Sequence, residues 1–137
     1  PETLIEDFAS IRESERLDLL LEFSEALPEL PARYVDHPEL LERVEECQSP
    51  IFLFVEIDEN NLTRLFFSAP PEAPTTRGFA SLLFCVIDGL SVQEALDFDI
   101  DFPSKLSLQK VVSPLRLRGM IGILSRIKRQ LREKSTQ

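Results

Sequence analysis

The sequence has few of the residues that build metal or disulfide sites. Among 137 residues there are two cysteines, Cys47 and Cys85, and one histidine, His37. Two cysteines in unlike contexts are too few for a disulfide framework, and with one histidine they form no zinc-binding pattern. No secretory signal is visible, so we expect reduced thiols, a cytoplasmic location and no bound metal.

Long apolar runs and common catalytic motifs are also missing. No apolar segment reaches the roughly 18 residues that a membrane span needs. The sequence has no glycine-rich phosphate loop and no Gly-x-Ser-x-Gly motif. His37 precedes a proline and has no orienting Asn or Asp motif, so it is a poor general base for a cysteine protease. We therefore expect neither a membrane protein nor a hydrolase, and no cofactor is required.

Positive charge is concentrated near the C-terminus. The net charge is −9, yet the segment from Arg116 onward has seven Lys/Arg and one Glu, against eight basic and 23 acidic residues elsewhere. An acidic body repels phosphates, so nucleic acid is not an expected partner. We interpret the basic residues as the solvated face of a terminal helix. The uneven charge suits docking on another protein.

The periodicity of apolar residues predicts helices, then a hairpin, then more helices. Residues 50–57 and 62–69 have strand patterns, separated by a turn cluster. A third strand is expected just before Cys47, because an isolated hairpin is only marginally stable. Helices are predicted over 3–11, 14–27, 39–43, 75–87, 91–98 and 114–131. The result is one α+β domain, residues 3–134, with helices on one face of a small antiparallel sheet of about three strands.

Two glycines, Gly119 and Gly122, interrupt the last predicted helix. Each lowers helix propensity by up to about 1 kcal/mol relative to alanine. We expect them to allow another segment to pack closely against this helix.

The two cysteines lie in different surroundings. Cys85 is inside the apolar stretch 82–87, where we expect a buried thiol with a structural role. Cys47 lies among polar residues where a strand begins, so a rigid scaffold can present it to solvent or a partner. The adjacent Glu45 and Glu46 should raise its pKa and make it a weak nucleophile at rest. Such a thiol suits group transfer from a partner that supplies the reactive species, and an incidental cysteine is the alternative.

Three motifs, in order along the chain, resemble the SufE family of sulfur acceptor proteins. They are residues 44–52 around Cys47, residues 73–79, and residues 106–119 with their Ser-Pro-Leu-Arg sequence. The order and spacing agree over residues 8–131. The resemblance implies an α+β fold similar to that of IscU-type scaffold proteins.

The resemblance also implies a function and partners. In this family a pyridoxal-phosphate cysteine desulfurase, SufS-like here, forms a persulfide on its own cysteine. The SufE-like protein docks, takes the terminal sulfur, stimulates the desulfurase and passes the sulfur to an iron–sulfur cluster scaffold. By position Cys47 is the acceptor, and the protein is a sulfur carrier rather than a stand-alone enzyme.

Other positions are carried over from the family pattern as docking or site-support residues. These are Arg116, Gln48, Ser49, Glu72 and Arg77. Arg116 matches a family arginine near the partner surface or the cysteine loop, and a structural salt bridge is its alternative. One position departs from the pattern, because Glu46 replaces the usual glycine before the cysteine. The change restricts the backbone and adds negative charge beside the thiol.

Two other functions stay open on the sequence alone. A non-catalytic adaptor could bind the desulfurase or the scaffold, with Cys47 incidental. Direct cluster scaffolding would need about three or four ligands, typically cysteines. Cys47, Cys85 and His37 are a poor set for that purpose.

Overall fold

The computed structural model describes residues 2–135, which form six α-helices and one three-stranded sheet. In chain order these are α1 (Glu2–Ser10), α2 (Glu13–Glu25), α3 (Ala32–Val35), β1 (Glu42–Arg43), β2 (Phe52–Ile57), β3 (Thr63–Ser68), α4 (Pro74–Ile87), α5 (Val92–Leu96) and α6 (Pro114–Ser135). Short 3₁₀ turns lie at Pro38–Leu40 and Phe102–Lys105. The architecture confirms the predicted α+β fold. In this part of the chain, no helix is long and apolar enough to cross a membrane.

The sheet is antiparallel, in the order β1, β2, β3. Alternation along β2 and β3 sends four apolar side chains to one face, where they are at most 3% exposed: Leu53, Val55, Leu65 and Phe67. In the turn between these strands, the Asp58 carboxylate accepts the backbone N–H groups of Asn60 and Leu62 at 2.9 and 3.0 Å. The predicted third strand before Cys47 is β1, which pairs with the start of β2.

The C-terminal helix α6 packs on β2 and completes its edge. Because β1 has only two residues, the backbone of Val55 in β2 has no strand partner on the side opposite β3. The Gln130 side chain accepts the Val55 N–H at 2.9 Å, and the Lys134 ammonium donates to the Val55 carbonyl. Polar side chains of the helix therefore take the place of a longer edge strand.

Several basic side chains of α6 are used inside the domain. Arg126 and Arg129 form ion pairs with Glu42 of β1. Lys128 donates to the Leu96 carbonyl at 3.0 Å. The prediction of a solvated basic face is wrong for Arg126 and Lys128, because the sheet edge and the end of α5 offer carboxylate and carbonyl oxygens within their reach, whereas the Arg129 side chain is 41% exposed.

The second face of the sheet is covered in part by the short helix α3. The Tyr34 ring lies 5.0 Å, centroid to centroid, from both Phe54 and Phe66. Arg33 lies over the Tyr34 ring at 4.9 Å and pairs with Glu56 at 3.2 Å. Helices thus contact both faces, whereas the sequence predicted one, because the second face also has aromatic side chains to cover.

Helix α4 packs against both α2 and α6. A Cβ at Gly78 would lie 2.6 Å from the Leu20 carbonyl oxygen, so the glycine is what lets α4 approach α2 this closely. On the same helix, Phe79 is 2% exposed. The contact fixes α4, which lines a cavity beside Cys47 through Thr76 and Phe79.

Helix boundaries follow the sequence signals in two places and depart from them in another. Ser91 and Glu94 form the predicted capping box, and Ser113 accepts the Arg116 N–H at 3.2 Å at the start of α6. The predicted helix over 39–43 is wrong, since this segment forms a 3₁₀ turn and then β1. A five-residue helix is marginal by itself, whereas β2 offers it strand partners.

Candidate functional site

Cys47 lies in the loop that joins β1 to β2, called here the cysteine loop (residues 44–51). At its base the Val44 N–H donates to the Ile51 carbonyl at 2.9 Å, and both residues are 0% exposed. Within the loop the Cys47 N–H donates to the Val44 carbonyl at 3.2 Å. Most of the residues between the two ends are exposed. The loop therefore has a base fixed in the core and a middle at the surface.

The Cys47 thiol turns inward, toward helix α6. It is 8% exposed and donates a hydrogen bond to the Gly119 carbonyl, with 3.6 Å between Sγ and O. A Cβ at Gly119 would lie 3.1 Å from Sγ. The glycine leaves room for the thiol, which confirms the close packing expected at this position.

A small cavity adjoins the thiol. Its volume is about 10 Å³, the space of roughly one water molecule. The cysteine loop, α4 and α6 line it with Cys47, Gln48, Ser49, Thr76, Phe79, Leu115, Arg116 and Gly119. Gln48, Ser49 and Arg116, which the sequence singled out, thus lie around Cys47. Arg116 is exposed, and its guanidinium forms no ion pair with any residue in 2–135.

The surroundings of Cys47 keep its thiol protonated. Burial, and after it the negative charge of Glu46, raises the pKa of Cys47 from 9.0 to about 11, while Arg126 acts in the opposite direction. At pH 7 only about one thiol in ten thousand is then ionised. The predicted effect of an adjacent acid is confirmed for Glu46, although burial is the larger cause. The resting thiol is therefore protected and needs new surroundings to react as a thiolate.

The Glu46 side chain packs against α6, although 40% of it stays exposed. Its carboxylate pairs with Arg126 at 2.7 Å, and its side-chain carbons cover Gly122. Sequence reasoning did not single out Arg126. A signal was present, because Gly119, Gly122 and Arg126 are spaced three and four residues apart and share one helix face.

Comparison with known proteins identifies the family of this chain. The Fe-S metabolism associated domain of SufE matches residues 2–131. The chain belongs to the SufE family. It therefore has a role in Fe–S metabolism, and the resemblance predicted from the motifs is confirmed. An uncharacterized SufE-like protein of Mycobacterium tuberculosis is 48% identical over 130 residues, covering 95% of this chain and 90% of that protein.

Two further proteins are similar to this SufE chain. SufE-like protein 1, chloroplastic/mitochondrial, of Arabidopsis thaliana is 32% identical over 82 residues, which are 60% of this chain and 22% of that protein. The solution structure of a hypothetical protein from Thermus thermophilus has a TM-score of 0.85 at 34% identity. That match covers 99% of this chain and 96% of the other, so the whole described fold is shared.

Two residues carried over from the SufE pattern, Glu72 and Arg77, do not line the cavity beside Cys47. Glu72 is exposed in the turn before α4. Arg77 donates to the carbonyls of Ser24 and Ala69 at 3.3 and 2.7 Å. Arg77 therefore ties the end of α2 to the segment after β3, which is a structural contact.

The expected burial of Cys85 is wrong. Cys85 is exposed on α4, whereas Leu82, Leu83 and Ile87 of the same helix are 0% exposed. A helix points consecutive side chains in different directions, so part of an apolar run faces away from its neighbours. In the described part of the chain, no group of three or more His, Cys, Asp or Glu residues is placed to hold a metal ion.

Proposed function

We propose that this SufE protein takes sulfur from a cysteine desulfurase onto Cys47, stimulates that enzyme and passes the sulfur to an iron–sulfur cluster scaffold. The observation that carries the proposal is the setting of the thiol. Cys47 shares a small cavity with the exposed residues Leu115 and Arg116 at the surface of the domain. Membership of a family with a role in Fe–S metabolism supports the same function.

The transfer requires one bond to form and one to break. The Cys47 thiolate attacks the terminal sulfur of the desulfurase persulfide, so an S–S bond forms on Cys47 while the S–S bond of the desulfurase breaks. The departing desulfurase thiolate keeps the electron pair and takes up the proton that Cys47 lost, so no external oxidant or reductant is needed. A scaffold thiolate then attacks the same terminal sulfur and releases Cys47. We place this reaction in the cytoplasm, where thiols stay reduced.

The resting site makes the reaction dependent on a partner. With a pKa of about 11 and 8% exposure, Cys47 reacts slowly with free electrophiles. Docking brings the persulfide and changes the surroundings of the exposed middle of the loop. The base of the loop is anchored by Val44 and Ile51, which are both 0% exposed, so we expect it to stay in the core during this change. Activation of the thiol is thus coupled to arrival of its sulfur donor.

We assign Arg116 to the docking surface for the desulfurase. Its guanidinium is exposed beside the cavity, and no acid within residues 2–135 pairs with it. In a chain of net charge −9, such a cation can meet a carboxylate of the partner. Gln48 and Ser49 add hydrogen-bonding groups to the same cavity. Glu72 and Arg77 stay predicted contributors outside it.

Intact mass spectrometry after incubation with a cysteine desulfurase, pyridoxal phosphate and cysteine tests the proposal. We expect a reductant-labile gain of about 32 Da, one sulfur atom, mapped to Cys47. The Cys85→Ser variant should keep this gain, and Cys47→Ser should lose it. No gain in the presence of an active and bound desulfurase would contradict sulfur acceptance.

The second candidate function is a non-catalytic adaptor that binds the desulfurase or the scaffold, with Cys47 incidental. The burial of the thiol and its raised pKa favour this candidate. The Cys47→Ser variant separates the two functions. Undiminished stimulation of sulfide release by this variant would support the adaptor, whereas lost stimulation with retained binding would support sulfur transfer.

A further inference from the structure

We infer that Glu46, Gly122 and Arg126 form a latch that keeps the cysteine loop closed over Cys47, with Arg126 as a positioning residue for the thiol. The inference rests on the proposed function, because a closed loop matters only if Cys47 reacts with a partner. The latch identifies the contacts that must break before the Cys47 thiol becomes accessible for sulfur transfer.

The first contact of the latch is between Glu46 and the surface of α6. A Cβ at Gly122 would lie 2.7 Å from the Glu46 Cβ and 2.8 Å from its Cγ and Cδ, so only glycine lets Glu46 lie here. One turn earlier, Gly119 gives Cys47 the same access to the helix, since a Cβ there would lie 3.1 Å from Sγ. Two adjacent loop residues thus dock on two glycines of one helix face.

The second contact holds the carboxylate of Glu46. Arg126 donates to its Oε1 from Nε at 2.8 Å, and Nη2 lies 2.7 Å from the same oxygen in the ion pair. The same guanidinium donates from Nη1 to the Glu42 carboxylate at 2.6 Å and to the Arg43 carbonyl at 3.2 Å. Because Glu42 and Arg43 form β1, one side chain of α6 binds both the fixed strand and the loop that follows it.

The charges around the thiol allow the latch to be distinguished from a simple electrostatic effect. The charged groups that face Cys47 are Glu46 on the loop and Arg126 and Arg116 on α6, while α4 lines the cavity with uncharged side chains. Glu46 raises the pKa of Cys47 and Arg126 lowers it. If the loop stays closed, loss of Arg126 leaves Glu46 uncompensated and makes the thiol less reactive. If the latch opens, Cys47 loses its burial and becomes more reactive.

Alkylation of the isolated protein by iodoacetamide tests the latch. Cys85→Ser provides a background in which Cys47 is the only thiol. Adding Arg126→Gln should increase the alkylation rate of Cys47 at least about tenfold at pH 7 and move the pH profile toward lower pH. A rate equal to or below that of the background would overturn the inference.

Two matched variants control for general loss of charge on α6. Arg129→Gln removes another cation that binds Glu42 but does not contact Glu46. Its alkylation rate should equal that of the background. Arg126→Lys keeps a cation that can reach Glu46, so it should restore much of the protection. If Arg129→Gln accelerates alkylation as much as Arg126→Gln does, the effect is general to the helix and the latch is wrong.

A third variant opens the latch from the other side while Arg126 stays in place. Gly122→Ala puts a Cβ where Glu46 now lies, and alanine improves the helix propensity of α6 by up to about 1 kcal/mol. It should also accelerate alkylation of Cys47, and an unchanged rate would count against the latch. None of these measurements requires a desulfurase. A failure of the latch is therefore distinct from a failure of sulfur transfer, which the mass measurement detects.

Discussion

The two cysteines of this chain lie in regions of opposite kind. Cys85 is on α4, a helix packed against α2 and α6, yet its side chain is exposed. Cys47 is in a loop with an exposed middle, yet its thiol is 8% exposed and lies against Gly119. A residue in a packed helix can therefore have an exposed side chain, and a residue in a surface loop can have a buried one. The accessibility of each thiol depends on which neighbour the side chain meets, and this is why the loop can protect its cysteine.

The largest expected difference between the two regions is in alkylation of the wild-type protein. With limiting iodoacetamide at pH 7, Cys85 should react at least about 100-fold faster than Cys47, because Cys47 is buried and its pKa is about 11. Peptide mapping by mass spectrometry measures both sites in one sample. Equal rates would mean that the cysteine loop is open at rest.

The second prediction compares the stability effects of substituting two glycines. Gly78 lies in α4, the helix of Cys85, and Gly122 lies in α6 beneath the cysteine loop. Gly78→Ala should lower the free energy of unfolding by about 1–3 kcal/mol, because its Cβ would meet the Leu20 carbonyl oxygen at 2.6 Å, and this backbone is fixed within α2. Gly122→Ala meets a loop side chain that can move, so its stability should stay within about 1 kcal/mol of wild type. Urea denaturation followed by circular dichroism checks both. A larger loss for Gly122→Ala would show that the loop is as rigid as α2.

The third prediction concerns stability at alkaline pH. Folding raises the pKa of Cys47 from 9.0 to about 11, so the folded state favours the protonated thiol. This contribution is complete below pH 9 and is lost as pH rises through 11. The wild type should therefore lose about 2 kcal/mol more than Cys47→Ser across this window. Parallel urea titrations at several pH values give the difference, and parallel curves for both proteins would contradict the burial of the thiol.

The smallest expected effect is that of Cys85→Ser. An exposed substitution on a well-packed helix should change the free energy of unfolding by less than about 0.5 kcal/mol. Stimulation of the desulfurase should also be unchanged, since the proposed transfer uses Cys47. A loss of stimulation in this variant would place the second thiol in the mechanism.

Local sequence signals predicted much of the fold and part of the candidate site. Alternating residues predicted β2 and β3, and Ser91 with Glu94 predicted the cap of α5. The same reasoning failed over residues 39–43, because strand pairing with a distant segment prevailed over a weak helix preference. For Cys85 it failed because an apolar run does not reveal which side of its helix meets a neighbour.

The Glu46–Arg126 pair marks the limit of what local patterns reveal about the site. The two residues are 80 positions apart, and nothing in the segment of either one points to the other. Spacing could place Gly119, Gly122 and Arg126 on one helix face. It could not indicate that the cysteine loop, rather than another element, would lie on that face.

The sequence by itself determined the family, the α+β architecture and the choice of Cys47 as the candidate acceptor, because these depend on motifs and periodicities within short segments. Only the tertiary structure decided that Cys47 is shielded, that Cys85 is exposed and that the basic side chains of α6 bind the sheet edge and the cysteine loop. These properties depend on contacts between segments far apart in the chain. The physical reason is that burial and ion pairing are set by the neighbours that folding brings together, which no single segment specifies.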